Sequence, residues 1–338
     1  MKTAVRKGKR YRMPKRILSG VRPTNKLHLG NLLGALENWK KLESAESYFM
    51  IADWHALTTE YESKIKIKET VIEVVIDFLA AGLDPNTSTI FLQSLVPEHA
   101  ELALLLSIIT PLSWLERNPT YKDQIKEQKG KELATHGFLG YPVLQAADIL
   151  LYKANAVPVG EDQLPHLELA REIARRFNHL YRKNVFVEAE ALLTKVPKLP
   201  GVDGRKMSKS YGNTIDLSDS PEEVDKKVMR MVTDPARKRR EDLGHPDVCP
   251  VYYFHTIFNQ KNHETVAQEC RQAKRGCVEC KQEMASYLVR FTKPIYERRK
   301  ELERGRSKIR EMLVEGSKKA RSVACLTLAE AKEAVGIA

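Results

Sequence analysis

The segment Ile17-Leu18-Ser19-Gly20-Val21-Arg22-Pro23-Thr24-Asn25-Lys26-Leu27-His28-Leu29-Gly30-Asn31 opens with a short apolar run ending at glycine. A turn-rich Arg22-Pro23-Thr24-Asn25 follows, and an amphipathic pattern then runs from Leu27 to Leu42. That order predicts strand, loop and helix. Downstream the alternation recurs: Tyr48-Phe49-Met50-Ile51-Ala52 reads as a buried strand, Val71 to Ala81 as a helix stopped by Gly82, and Thr89-Ile90-Phe91-Leu92 as a third strand. Short strands alternating with helices predict an α/β fold, a parallel sheet covered on both faces with ligands at the carboxyl ends of its strands. From Ser220 onward strand-like runs become rare, while Glu222 to Met231, Glu264 to Lys274, Gln282 to Arg310 and Leu328 to Val335 read as helices. The expected organisation is a basic N-terminal arm over 1–16, a catalytic domain over 17–219 and a helical domain over 220–338.

The 338 residues carry 56 Lys+Arg against 44 Asp+Glu, a net charge of +12 that favours a polyanionic partner. The arm holds eight of those cations without an apolar stretch, Lys2, Arg6, Lys7, Lys9, Arg10, Arg12, Lys15 and Arg16, so it resembles neither a secretory signal nor a membrane span. No apolar run elsewhere reaches membrane length, and a cytoplasmic protein is expected. Four of the five cysteines fall between Cys249 and Cys280, an arrangement closer to a metal site than to a disulfide framework.

Three elements read as nucleotide-binding. His28 and Asn31 stand at the opening of the first helix, where unpaired amides favour phosphate oxygens and Gly30 makes room for a flat base or ribose. His28 has an equally ordinary use as a helix cap. Val157-Pro158-Val159-Gly160-Glu161-Asp162-Gln163 runs from apolar residues through glycine into a helix, and Glu161 or Asp162 there would accept from ribose hydroxyls or cap the helix. Lys206-Met207-Ser208-Lys209-Ser210, between the Gly-rich segments Pro200 to Arg205 and Tyr211 to Asn213, places two mobile ammonium groups where they can follow charge as a bond breaks.

Together these elements resemble class I aminoacyl-tRNA synthetases, His28-Leu29-Gly30-Asn31 matching the first signature and Lys206 to Ser210 the second. The segments Ser19 to Pro23, Ala52-Asp53-Trp54-His55-Ala56, Tyr141 to Tyr152 and Val157 to Gln163 look specifically like the tryptophanyl-tRNA synthetases. The resemblance implies ATP-dependent activation of tryptophan on a Rossmann-like domain, transfer to tRNA(Trp), a homodimer, and a helical domain that reads the anticodon. It implies catalytic roles for His28, Asn31, Lys206 and Lys209. ATP would be bordered by Arg22, Pro23, Thr24, Gly30, Asn31, Gly160, Glu161, Asp162, Lys206, Met207, Ser208, Lys209 and Ser210, with Mg2+ sharing the phosphate charge.

Asp148 lies in the apolar segment Tyr141 to Tyr152 and needs a partner there, which an indole N–H would supply. The resemblance places Tyr141, Gln145, Asp148, Val157, Val159, Gln163 and Leu18 around tryptophan. Tyr141, Gln145 and Asp148 also have the spacing of some tyrosyl-tRNA synthetases, which makes tyrosine the alternative substrate. Against tyrosine, Leu18 stands where those enzymes place a phenol-binding tyrosine, and Val157-Pro158-Val159 forms an apolar wall suited to indole.

Cys249, Cys270, Cys277 and Cys280 have thiolate chemistry suited to zinc or iron–sulfur, although structural zinc sites usually pair two short cysteine knuckles and only one is present. The pattern resembles a bacterial subset of tryptophanyl-tRNA synthetases with a C-terminal [4Fe-4S] cluster; zinc stands second and unligated thiols third. Arg237-Lys238-Arg239-Arg240 and the stretch from Arg298-Arg299-Lys300 to Arg310 are candidates for tRNA phosphate contacts, with Glu301, Glu303 and Glu311 available to pair along the latter helix. A nucleotidylyltransferase would share the phosphate site without using tRNA, and an RNA-binding module would leave both signatures without a purpose.

Overall fold

The computed structural model describes residues 16–24, 26–44, 46–62, 66–119, 122, 135–193 and 199–337. Apart from Arg16, the expected N-terminal arm lies outside them. Arg16 itself is tied down: its Nε pairs with Glu46 at 2.6 Å and its Nη1 donates to the Tyr152 carbonyl at 3.0 Å.

Five parallel strands form one sheet in the order β3-β2-β1-β4-β5: β1 Ile17–Val21, β2 Ser47–Ile51, β3 Thr89–Leu92, β4 Ala156–Val159 and β5 Glu190–Leu193. This is the expected α/β, Rossmann-like arrangement. The first helix, α1, starts at Leu29–Asn31, widens into a π turn at Leu32–Leu36 and ends with Glu37–Leu42. The crossovers continue with α2 Asp53–Glu60, α3 Ile67–Ala80, α4 Glu98–Ile109, α5 Leu112–Glu116, α6 His136–Leu151 and α7 Leu164–Tyr181. Pro158 lies inside β4, where a missing N–H would normally break a ladder. Here β4 meets β1 only at Ala156, so the proline sits beyond the β1 pairing.

The C-terminal part is helical: α8 Pro221–Arg230, α9 Pro250–Phe258, α10 His263–Arg271, α11 Cys277–Glu303 and α12 Arg306–Val335. Where the sequence predicts one helix from Gln282 to Arg310, the chain breaks at Arg304-Gly305, and α12 then runs unbroken to Val335. This last helix returns to the sheet. Its small residues Ala320, Ala324 and Ala331 join Leu328 in the core on one side of the sheet, and the Ser317 hydroxyl accepts the Leu92 N–H at 3.1 Å, giving the edge strand β3 a partner.

Gly316 permits that contact. A Cβ there would lie 2.0 Å from the Ile90 carbonyl oxygen. Gly316→Val is expected to push α12 off the sheet edge and cost about 3 kcal/mol or more, read as a lowered urea midpoint. An unchanged midpoint would mean that the helix is not held there. Among the described residues no helix is long and apolar enough to cross a membrane.

Candidate active site

At the carboxyl ends of β1 and β4, a cavity of about 660 Å3 runs between α1, α6 and the loop after β5. Leu18, Arg22, Thr24, His28, Gly30, Asn31, Tyr141, Gln145, Asp148, Val157, Val159, Gly160, Asp162, Gln163, Ser208 and Lys209 all line it, although the sequence separates them by up to 191 positions (209 minus 18). Pro23, Glu161, Lys206 and Met207 are not part of the lining.

At one end the first signature builds a helix start. The Gly30 N–H donates to His28 Nδ1 at 3.1 Å, while the His28 N–H donates to Asn31 Oδ1 at 3.1 Å, a reciprocal cap. Capping and ligand binding are compatible, because a ring that accepts at Nδ1 carries its proton on Nε2. Burial, and then the charge of Lys209, push the His28 pKa down to about 4, so the ring is a neutral donor at physiological pH. Gly30 lines the cavity, and a Cβ there would also meet the His28 ring at 2.9 Å, a second reason for glycine that the sequence did not suggest.

A short antiparallel bridge at His28 and Asp216 joins the first signature to the segment that follows the second. The Leu29 N–H donates to the Ile215 carbonyl and the Leu217 N–H to the Leu27 carbonyl, both at 2.9 Å. Between Leu199 and Ile215 the second signature is shaped by Asn213, which the sequence reading did not single out. Its side chain accepts the Ser208 N–H at 2.8 Å and donates to Asp203 at 2.7 Å and to the Lys206 carbonyl at 3.2 Å. A buried Asn beside glycines in a turn was the available signal.

Met207, expected at ATP, is a correction. It is buried in the hydrophobic core, and its N–H donates to the Leu199 carbonyl, because a thioether between two lysines is the one group there that gains by leaving water. Lys206 is exposed beside it, while Ser208 and Lys209 face the cavity. Burial pushes the Lys209 pKa down to about 8, against the opposing pull of Asp216 and Asp77. Ser210 belongs to the single turn Lys209–Tyr211. Pro23 is buried and Glu161 is exposed outside the cavity, so neither presents a group to it.

At the other end Asp148, buried on α6, is the centre of a polar network. Its Oδ2 pairs with His55 Nε2 at 2.7 Å, and its Oδ1 accepts from Gln93 at 2.8 Å and from His99 Nδ1 at 2.6 Å. Burial alone would raise this carboxyl, but His55 and His99 outweigh it and hold the pKa below the usual range. A carboxylate offers about four lone-pair directions, so three protein partners leave room for one more donor. Asp148 and His55 both reach the cavity. Nearby, His166 takes a hydrogen bond from Asn118 at Nδ1 and meets the Tyr141 hydroxyl at Nε2, 3.0 Å away. With Nδ1 accepting, Nε2–H donates to the phenol oxygen, and the Tyr141 O–H is left to donate elsewhere. His55, Gln93, His99 and His166 were not assigned roles from sequence.

The four cysteines ring a second, smaller pocket with Arg237, Tyr252 and Arg275. Cys249 caps α9, Cys277 opens α11 with Cys280 one turn on, and Cys270 lies near the end of α10. Arg237 does not reach out towards phosphate as expected. It is buried, donating from Nη2 to the Arg240 carbonyl at 2.7 Å and from Nη1 to Cys270 Sγ at 3.8 Å.

A parallel sheet with a nucleotide-type helix start bridged to the segment after a lysine loop defines the class. Residues 10–293 match the family model of tRNA synthetases class I (W and Y), and the chain belongs to that family of enzymes. Within it the similarity is to enzymes for tryptophan. The chain is 53% identical to the tryptophan–tRNA ligase of Thermotoga maritima over 95% of this chain and 99% of that one, and 46% identical to that of Aquifex aeolicus over 95% and 100%. The tryptophanyl-tRNA synthetase of Campylobacter jejuni, solved with ADP and tryptophan, superposes with a TM-score of 0.84 at 33% identity, covering 95% of this chain and 99% of that one. The chain is accordingly a ligase that activates tryptophan with ATP and transfers it to tRNA(Trp), and the tyrosine alternative has the weaker support.

Proposed function

We propose that tryptophan and ATP meet in the 660 Å3 cavity, tryptophan at the Asp148 end and ATP between the α1 start and Lys209. The observation that carries this is the polarity of that cavity. A buried carboxylate with an open acceptor direction stands at one end, and a neutral imidazole donor, helix-start amides and a half-buried ammonium stand at the other. Leu18, Val157 and Val159 supply apolar walls for the indole, while Tyr141, Gln145 and Gln163 offer polar groups around it.

In this reading the tryptophan carboxylate attacks the α-phosphorus in line. A P–O bond forms, the bridging P–O bond breaks, and pyrophosphate leaves with the electron pair. His28 Nε2–H and the Asn31 amide donate to phosphate oxygens, Gly160 and Asp162 hold the ribose, and Arg22 and Thr24 flank the phosphates. Lys209 meets the charge that develops on the leaving group, and Lys206 joins it when the loop folds over. Mg2+ carried in with ATP would share that charge. A tRNA ribose hydroxyl then takes the tryptophanyl group and AMP departs.

The two ends separate kinetically. His28→Ala is expected to raise the KM for ATP about tenfold with little effect on that for tryptophan, and Gln145→Ala to do the reverse. Pyrophosphate exchange gives both constants, and equal movement of both in either variant would contradict the division.

We read 220–338 as the tRNA-facing helical region, supported by the exposed Lys238, Arg239 and Arg240. A homodimer is supported by Leu104, Ile108 and Leu112, which form an apolar stripe 57–73% exposed on α4 and α5. The enzyme would work in the cytoplasm. The four cysteines line one pocket, although among the described residues no three His, Cys, Asp or Glu side chains stand together as a formed metal site. What supports a [4Fe-4S] cluster is donor chemistry, four thiols and a buried Arg237 Nε without a partner, an N–H suited to sulfur that carries negative charge. The free space is only about 20 Å3, so this fit rests on the donors and not on the void. Such a cluster would supply a covalent brace between α9, α10 and α11 rather than reaction chemistry. Anaerobically purified protein is expected to contain about four iron and four sulfide per chain. Zinc without sulfide would replace the cluster by the second alternative.

A further inference from the structure

Asp77, on α3, is fully buried and belongs to neither cavity just described. Its Oδ2 accepts the Leu27 N–H at 2.7 Å, one residue before His28, and its Oδ1 accepts Arg299 Nη1 at 2.7 Å. Arg299 comes from α11 in the C-terminal region and has no exposed surface. It also pairs with Glu73 and, through Nε at 3.4 Å, with Glu303, while Glu73 holds Arg306 at the start of α12. Leu27 is thus fixed on both sides, its N–H by Asp77 and its carbonyl by Leu217 beyond the lysine loop. Buried ion pairs of this kind contribute little net stability compared with well-packed apolar residues, so stability alone is a poor reason for one here.

We infer that Asp77 is a positioning residue for ATP: held by Arg299, it fixes Leu27 and with it the helix start that carries His28 and Asn31, so that the C-terminal helices set the geometry of the ATP end. The negative charge of Asp77, after that of Asp216, also works against the burial that lowers the Lys209 pKa. One residue therefore touches the base of the first signature, the field around the second, and the helical region.

Asn at position 77 has the right shape but a single acceptor atom, and its amide hydrogens must face either Leu27 or Arg299. Asp77→Asn is expected to raise the KM for ATP in pyrophosphate exchange about tenfold while the KM for tryptophan stays within about twofold. Adding Arg299→Met removes the competing donor and frees the amide oxygen for Leu27, so the double variant is expected to recover ATP affinity to within about threefold of the parent. Should Asp77→Asn not fold, Arg299→Lys carries the test, because an ammonium keeps the charge but cannot hold Asp77, Glu73 and Glu303 in one fork. Its expected effect is a rise of about threefold for ATP alone. A common rise in both constants, or no recovery in the double variant, would overturn the inference. The inference rests on reading the His28 end as the ATP end, and His28→Ala separates the two. If that variant shifts ATP and Asp77→Asn does not, only the role of Asp77 fails; if neither shifts ATP, the reading of the site fails with it.

Discussion

Lys209→Ala is expected to slow adenylate formation about 10²- to 10³-fold while tryptophan affinity stays within about twofold. The ammonium lines the cavity close to the first signature, and in the proposed reading it would meet charge that appears only as the P–O bond to pyrophosphate breaks. Its pH behaviour follows. Because the amine is the conjugate base, a pKa lowered to about 8 means that the free enzyme loses this charge as pH rises through about 8. The kcat/KM for ATP should fall across that range, whereas kcat should stay flat higher, since bound phosphate stabilises the ammonium. Lys209→Arg, always charged, should abolish the decline even if its rate is lower. A decline that survives in the arginine variant would assign the titration to another group. Equal losses in adenylate formation and tryptophan binding in the alanine variant would give the loop a folding role.

Asp148→Asn is expected to lower kcat/KM for tryptophan about 10³-fold or more, with the KM for ATP little changed. The amide keeps one acceptor where the carboxylate serves His55, Gln93, His99 and the cavity, so either the network or the substrate goes unpaired. The same arithmetic predicts a stability cost of about 2–4 kcal/mol, visible as a lower urea midpoint in the substrate-free protein. A variant that loses stability but keeps its selectivity for tryptophan would make the network structural only.

The sheet and the ends of the cleft were legible because their signals are local. β1, β2 and β3 are apolar runs with turn residues after them, and the His28 and Lys206 segments carry their chemistry within five residues. β5 escaped notice as an edge strand that begins with Glu190 and is nowhere fully buried, so it lacks the apolar run of a central strand. The partners of Asp148 lie 49, 55 and 93 positions away, and no periodicity encodes such pairings. Arg299 misled for a related reason. In sequence it is one cation in a basic run, and only the fold brings Asp77 and Glu73, more than 220 positions away, to cover it. Its pairing with Glu303 was the part that helical spacing could give. Arg237 was misread in the same way, since a cation beside thiols and a cation facing phosphate look alike in one dimension.

The most direct test of the site leaves the protein unaltered. Pyrophosphate exchange is measured with tryptophan and with 3-benzothienylalanine, in which sulfur replaces the indole N–H at nearly constant shape. If Asp148 reads that N–H, kcat/KM for the analogue should fall by about 10⁴. A ratio within about tenfold would mean that the cavity selects by shape alone, and that the carboxylate at its end is not the tryptophan-sensing group.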